Sequence, residues 1–163
     1  MSTALPSKLS DLLELAVRDA QKCEAQPERF RLDMGKWHSP LNSGVCAVCM
    51  AGAVLAQTVG MGDDKEIIWS DLDDWSGVRA INEMRTGDFC DAAVILDVAL
   101  SDDRVAAALL TAERLVKENL PEVSDEEEND EDGFDREDDE SPGYRAPWET
   151  YTRAAAILRE AGL

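Results

Sequence analysis

The sequence predicts a mainly α protein: a compact helical domain of about six helices around a central apolar helix, with at most one short extended segment. Apolar residues recur at spacings of three and four in several stretches, as they do along amphipathic helices. The stretch from Val45 to Ala56 is apolar all round, as expected of a helix surrounded by others. Gly, Pro and Asp fall between these stretches, where helices stop and start.

The first helix is expected from Ser7 to Glu24, with Leu9, Leu12, Leu13, Ala16, Val17, Ala20 and Cys23 on one face and Ser7 or Ser10 as its cap. Pro27 ends that pattern. Phe30, Leu32 and Met34 then alternate with Arg29, Arg31 and Asp33, the mark of a short extended segment. Gly35 to Asn42, with Trp37, His38 and Pro40, reads as a loop leading into the central helix, capped near Ser43 and running to about Val59. Gly60 and Gly62 close it. A further helix follows from about Leu72 to Arg85, with Trp75, Val78, Ile81 and Met84 facing inward. Asp88 caps the next, Phe89 to about Leu100, and Ser101 starts another that Pro121 stops after Asn119. Pro147 suits the first turn of a last helix through Trp148, Tyr151, Ala155 and Leu158, ending at Gly162.

Between Glu122 and Glu140 stand thirteen acidic residues and one basic, Arg136, a formal charge of −12 that leaves −7 of the total −19 for the rest of the chain. Val123 and Phe134 are the apolar residues of that stretch, too few to offset the entropy of ordering it. The expected organisation is therefore a helical domain over 1–121, a disordered acidic insertion over 122–143, and a C-terminal helix over 144–163 that docks back on the same domain.

Charge and composition also narrow function. A net charge of −19 works against direct binding to nucleic acid or to an anionic membrane, because both need Lys and Arg to meet phosphates. The uncharged run from Trp37 to Gly62 has the length of a membrane span, but His38, Pro40, Asn42, Ser43, Gln57 and its glycines argue against one. Residues Met1 to Pro6 lack the basic start of a secretory signal, and the four cysteines read as reduced thiols, so a cytoplasmic setting is expected.

Cys46-Ala-Val-Cys49 has metal-ligand or redox spacing, and His38 with Cys23 or Cys90 would complete a tetrahedral set. No second matching pair accompanies it. A redox pair would need its first cysteine at a helix start after a buried strand, whereas Trp37 to Asn42 reads as a loop. Small core side chains are the favoured reading, and no cofactor is expected. His38 is the only histidine and no nucleophile elbow accompanies it, so no enzymatic role is expected. Glu128, Asp130, Asp132, Gly133 and Asp139 fall near the spacing of a calcium loop, but its first and last ligands are of the wrong type. Asp71, Asp73 and Asp74 read as a helix-start cluster.

The segments Lys36-Trp37-His38-Ser39-Pro40 and Cys46-Ala-Val-Cys49-Met-Ala-Gly-Ala-Val54 resemble small bacteriophage proteins that share a Trp-His segment followed by a Cys-x-Val-Cys-x-Ala-Gly helix. The resemblance covers a tenth to a fifth of the chain and brings no activity. It implies a bacterial host cytoplasm, where small acidic phage proteins act by occupying a host protein.

The expected function is thus a non-catalytic acidic binding protein that occupies a basic surface of a host protein, one that itself binds nucleic acid being a natural target. The expected partner-binding residues are Asp125, Glu126, Glu127, Glu128, Asp130, Glu131, Asp132, Asp135, Glu137, Asp138, Asp139 and Glu140, with Trp37 and His38 as a second candidate surface. Two alternatives remain open. One is a self-associating helical assembly protein whose acidic segment only confers solubility, with Trp37, Trp69, Trp75 and Trp148 as anchors. The other is a small enzyme or zinc-binding regulator using Cys46 and Cys49.

Overall fold

The computed structural model describes residues 4–67, 75–121 and 145–163. Ile68, Trp69, Asp71, Asp73 and Asp74 lie outside the described residues, as does the acidic stretch over 122–144. Six helices form among the described residues: α1 (Leu9–Glu24), α2 (Met50–Gln57), α3 (Ser76–Arg85), α4 (Phe89–Ile95), α5 (Asp103–Asn119) and α6 (Trp148–Glu160). No helix among the described residues is long and apolar enough to cross a membrane.

The protein is mainly helical but not purely so. Three short strands, β1 (Phe30–Leu32), β2 (His38–Pro40) and β3 (Cys46–Val48), form one sheet in the order β1-β3-β2. The expectation of at most one extended segment is corrected by this sheet, in which β3 runs parallel to β1 and antiparallel to β2. Residues 37–42, read as a loop, contain β2. The expected central helix is likewise divided: its first part is β3, and α2 begins only at Met50. The physical reason is that β3 is buried along its whole length. A strand with both faces covered shows no alternation and cannot be told from a buried helix by pattern.

What remains of that helix is enclosed as expected, with Met50, Ala51, Gly52, Ala53, Val54 and Leu55 all buried. Around it pack α1 and α3, and α1 in turn packs against α6 and β1. The expected inward stripe of α1 is buried, while Asp11, Glu14 and Arg18 of the same helix are exposed. Neither expected serine caps it: Lys8 holds the cap position, and Ser10 lies inside the helix, its N–H and Oγ both donating to the carbonyl oxygen of Leu163 at 3.1 and 2.6 Å.

Helix α5 is capped by Asp102 rather than Ser101, its carboxylate accepting from the Arg104 N–H at 2.8 Å. Helix α6 packs on α1 and α5. Its Tyr151 hydroxyl donates to the Arg85 carbonyl at 2.6 Å and accepts from the Ala146 N–H at 3.2 Å. Glu24 of α1 receives both Arg145 at 2.9 Å and the Trp148 indole at 3.0 Å, with the Arg145 guanidinium 4.1 Å above the Trp148 ring.

Helix α4 stops at Ile95, short of the expected Leu100, because the chain turns left-handed at Asp97, where φ is 58°. The Val98 N–H bonds the Ala93 carbonyl and the Asp97 N–H bonds that of Val94, the paired bonds of a Schellman closure. Helices α3 and α6 close in the same way, with Gly87 (φ 89°) and Gly162 (φ 82°) at the left-handed position.

Candidate functional site

The Trp-His and Cys-x-x-Cys segments converge. Strand β2 places His38 opposite Val48 of β3, and the chain before β2 lays the Trp37 carbonyl against α2. Only glycine permits that approach at position 52, since a Cβ there would stand 1.4 Å from the Trp37 oxygen. Cys49 holds the N-cap of α2 in an extended conformation, its sulfur accepting from the Gly52 N–H at 3.4 Å and lying 4.0 Å from the Trp37 carbonyl. Trp37 is half-buried, and His38 is buried completely.

The His38 Nδ1 bonds the Lys65 carbonyl, which requires Nδ1 to carry the proton. The Cys46 sulfur stands 3.6 Å from Nδ1 and 3.8 Å from Nε2. A sulfur nearly equidistant from both nitrogens lies over the face of the ring, because an equidistant position in the ring plane would collide with Cε1. The nitrogen lone pair lies in the ring plane. Cys46 and His38 are therefore stacked, not joined as a thiol and its general base.

All four cysteines are free thiols. Burial pushes the Cys46 and Cys23 thiols up to about 11 and also raises Cys49 and Cys90. Cys49 does sit at a helix start after a buried strand, a place that lowers a thiol pKa when it is wet. It is the second cysteine of the pair, however, and desolvation outweighs the helix end. The two cysteines of the pair fall on different elements rather than on one helical face. Among the described residues, no group of three or more His, Cys, Asp or Glu is placed to hold a metal ion.

Beside this cluster stands a buried carboxylate that sequence reasoning missed. Asp19 of α1 is wholly buried, with one oxygen accepting from the Thr58 hydroxyl and the other 3.5 Å from the Lys22 ammonium and without a hydrogen bond. Its position between Ala16 and Cys23 on the inward stripe of α1 was the available signal. Nearby, Gln57 donates to the Cys23 sulfur at 3.6 Å, and Arg29 forks onto Asp63 with two bonds of 3.0 Å.

The arrangement locks β2, β3 and the loop before Ile67 onto the start of α2. The candidate surface at Trp37 and His38 thus presents only part of Trp37, with the His38 ring enclosed. The twelve acidic candidates, Asp125 to Glu140, lie outside the described residues, as do those of the calcium-like spacing. No family model, curated protein or solved structure matches the chain.

Proposed function

We propose that the protein is a non-catalytic binding protein that presents carboxylates to a basic protein surface. The placement of charge carries this reading: −12 of the net −19 is concentrated between Glu122 and Glu140. Duplex DNA is itself a dense run of negative charge, and thirteen carboxylates within this stretch make it the most acidic run of the chain, so a nucleic-acid-binding surface is the natural target. The raised thiols and the stacked, not hydrogen-bonded, Cys46 and His38 support a role without nucleophilic chemistry. The likeness of the Trp37 and Cys46 segments to small bacteriophage proteins supports a partner in a bacterial cytoplasm.

Capture of partners from a bacterial lysate by the full chain and by a chain lacking residues 122–140 tests this reading across a salt series. Charge-steered association weakens as ionic strength rises. The deletion is expected to reduce capture and flatten the salt dependence. Equal capture of the same partner by both chains at every salt concentration would overturn it.

A second reading, self-association with the acidic stretch as a solubility device, draws on the exposure of Val94, Leu100 and Leu110. Sedimentation equilibrium decides it.

A further inference from the structure

A cavity of about 580 Å³ opens where the ends of three helices converge. Val59 reaches it from beyond α2, Trp75 from before α3, Ile95, Leu96 and Asp97 from the end of α4, and Leu5 from the segment preceding α1. Its volume is that of a small-molecule or side-chain site, with apolar side chains such as Leu5, Val59, Trp75 and Ile95 on its wall beside polar ones such as Ser7, Ser76 and Asp97. Asp97 is the one charged residue among the described residues that line it.

Asp97 is also the only non-glycine residue with positive φ among the described residues. The same closure carries glycine at the ends of α3 and α6, where an L side chain would be strained. Among the described residues no hydrogen bond or ion pair engages its exposed carboxylate. Among the described residues, therefore, nothing neutralises this charge at the rim of the cavity, and it stands in a backbone position that glycine would fill with less strain.

We propose that this cavity is the anchor site for one basic side chain of the partner, a proposal that rests on the reading of the protein as a binder of basic surfaces. The hydrocarbon stem of a lysine or arginine enters among Leu5, Val59, Trp75 and Ile95, and its cation stops at Asp97. Long cationic side chains bury their stems and keep their charge at the water boundary, and an indole attracts a cation over its face. The negative field of the chain favours such an occupant over an anion.

The test is an NMR titration of the ¹⁵N-labelled full chain with n-hexylammonium, n-hexanol and hexanoate, which share one stem and differ in head charge. Hexylammonium is expected to give saturable shifts at Trp75 and Leu96, hexanol to bind about threefold more weakly for want of a partly exposed ion pair, and hexanoate to give none. Asp97→Asn, which tolerates the left-handed position, should bring hexylammonium down to the level of hexanol. Asp97→Gly should do the same while raising the melting temperature, which separates loss of the site from loss of the fold. Equal binding of hexylammonium and hexanoate, no saturation, or an unchanged ratio in both variants would overturn the proposal. So would a dimer that Asp97→Asn returns to monomer, since the occupant would then be a second copy. If these outcomes fail while deletion of 122–140 still weakens capture, the cavity assignment falls and the binding reading stands; if the titration succeeds while the deletion leaves capture unchanged, the cavity takes a cation but its assignment to a partner's side chain falls with the binding reading.

Discussion

Strand β3 and helix α2 are cut from one uncharged run, separated by the single residue Cys49, and both are buried along nearly all their length. Their composition does not distinguish them. What differs is where their backbone groups find partners. Strand β3 lies between β1 and β2, so both of its edges are paired by other segments. Helix α2 satisfies its own interior, and Cys49 and the close approach of Trp37 to Gly52 fix where it starts. A buried segment becomes a strand when neighbours supply two edges and a helix when they supply only apolar surface.

The largest test of this division is Gly52→Ala. Its new methyl has to displace backbone, the Trp37 carbonyl, and not a yielding side chain. A loss above about 3 kcal/mol is expected in urea unfolding, at the upper end of overpacking effects. A loss below about 1 kcal/mol would mean that β2 is not seated on α2. On the strand side, Val48→Ala removes fully buried methyl groups and should cost about 2 kcal/mol, from lost transfer energy and the cavity left behind.

The buried thiols give a pH-dependent version of the same comparison. Burial raises Cys23 and Cys46 from 9.0 to about 11. Below pH 9 the thiol is protonated in both folded and unfolded chains. As pH climbs through 9 toward 11 only the unfolded chain ionises, so stability present below 9 is lost across that window. Unfolding measured from pH 8 to 11 should show the decline, and Cys46→Ala should flatten part of it. Tyr151, which burial raises from 10.0 to about 12, adds its own loss from about pH 10 upward, and Cys46→Ala leaves that part unchanged. A flat profile would contradict the enclosure of β3.

The smallest expected effect belongs to the junction residue. Cys49→Ala deletes the sulfur that accepts from the Gly52 N–H, a cap worth about 1 kcal/mol where oxygen provides it. Cys49→Ser retains an acceptor and should stay near the parent in a thermal melt. If serine fails as alanine does, Cys49 acts through packing and not as a cap.

The sequence was most legible where an element has one wet face. In α1 the pattern from Leu9 to Cys23 marks the buried stripe because Asp11, Glu14 and Arg18 interrupt it. Strand β3 has no wet face to supply such interruptions, and β2, whose Pro40 sits on an edge strand, takes its conformation from pairing with β3. The end of α4 was hidden for a different reason. Left-handed closures announce themselves by glycine, as at Gly87 and Gly162, and Asp97 gives no such notice. At the candidate site, the chemical types at Trp37, His38, Cys46 and Cys49 were readable. Their convergence was not, since it depends on a sheet that pattern alone does not reveal.

The seating of α6 has a consequence for the order in which the molecule forms. Its Arg159 reaches back to Asp11 and Glu14, and Leu163 receives Ser10, contacts that join residues 145 to 153 positions apart. During synthesis α1 emerges before α6, and the surface that α6 covers stays wet until α6 itself has left the ribosome. Contacts so distant in sequence slow folding, because the chain must close its longest loops before they return any stability. The surface of α1 that α6 covers is therefore closed only once α6 has been made, however early α1 itself forms.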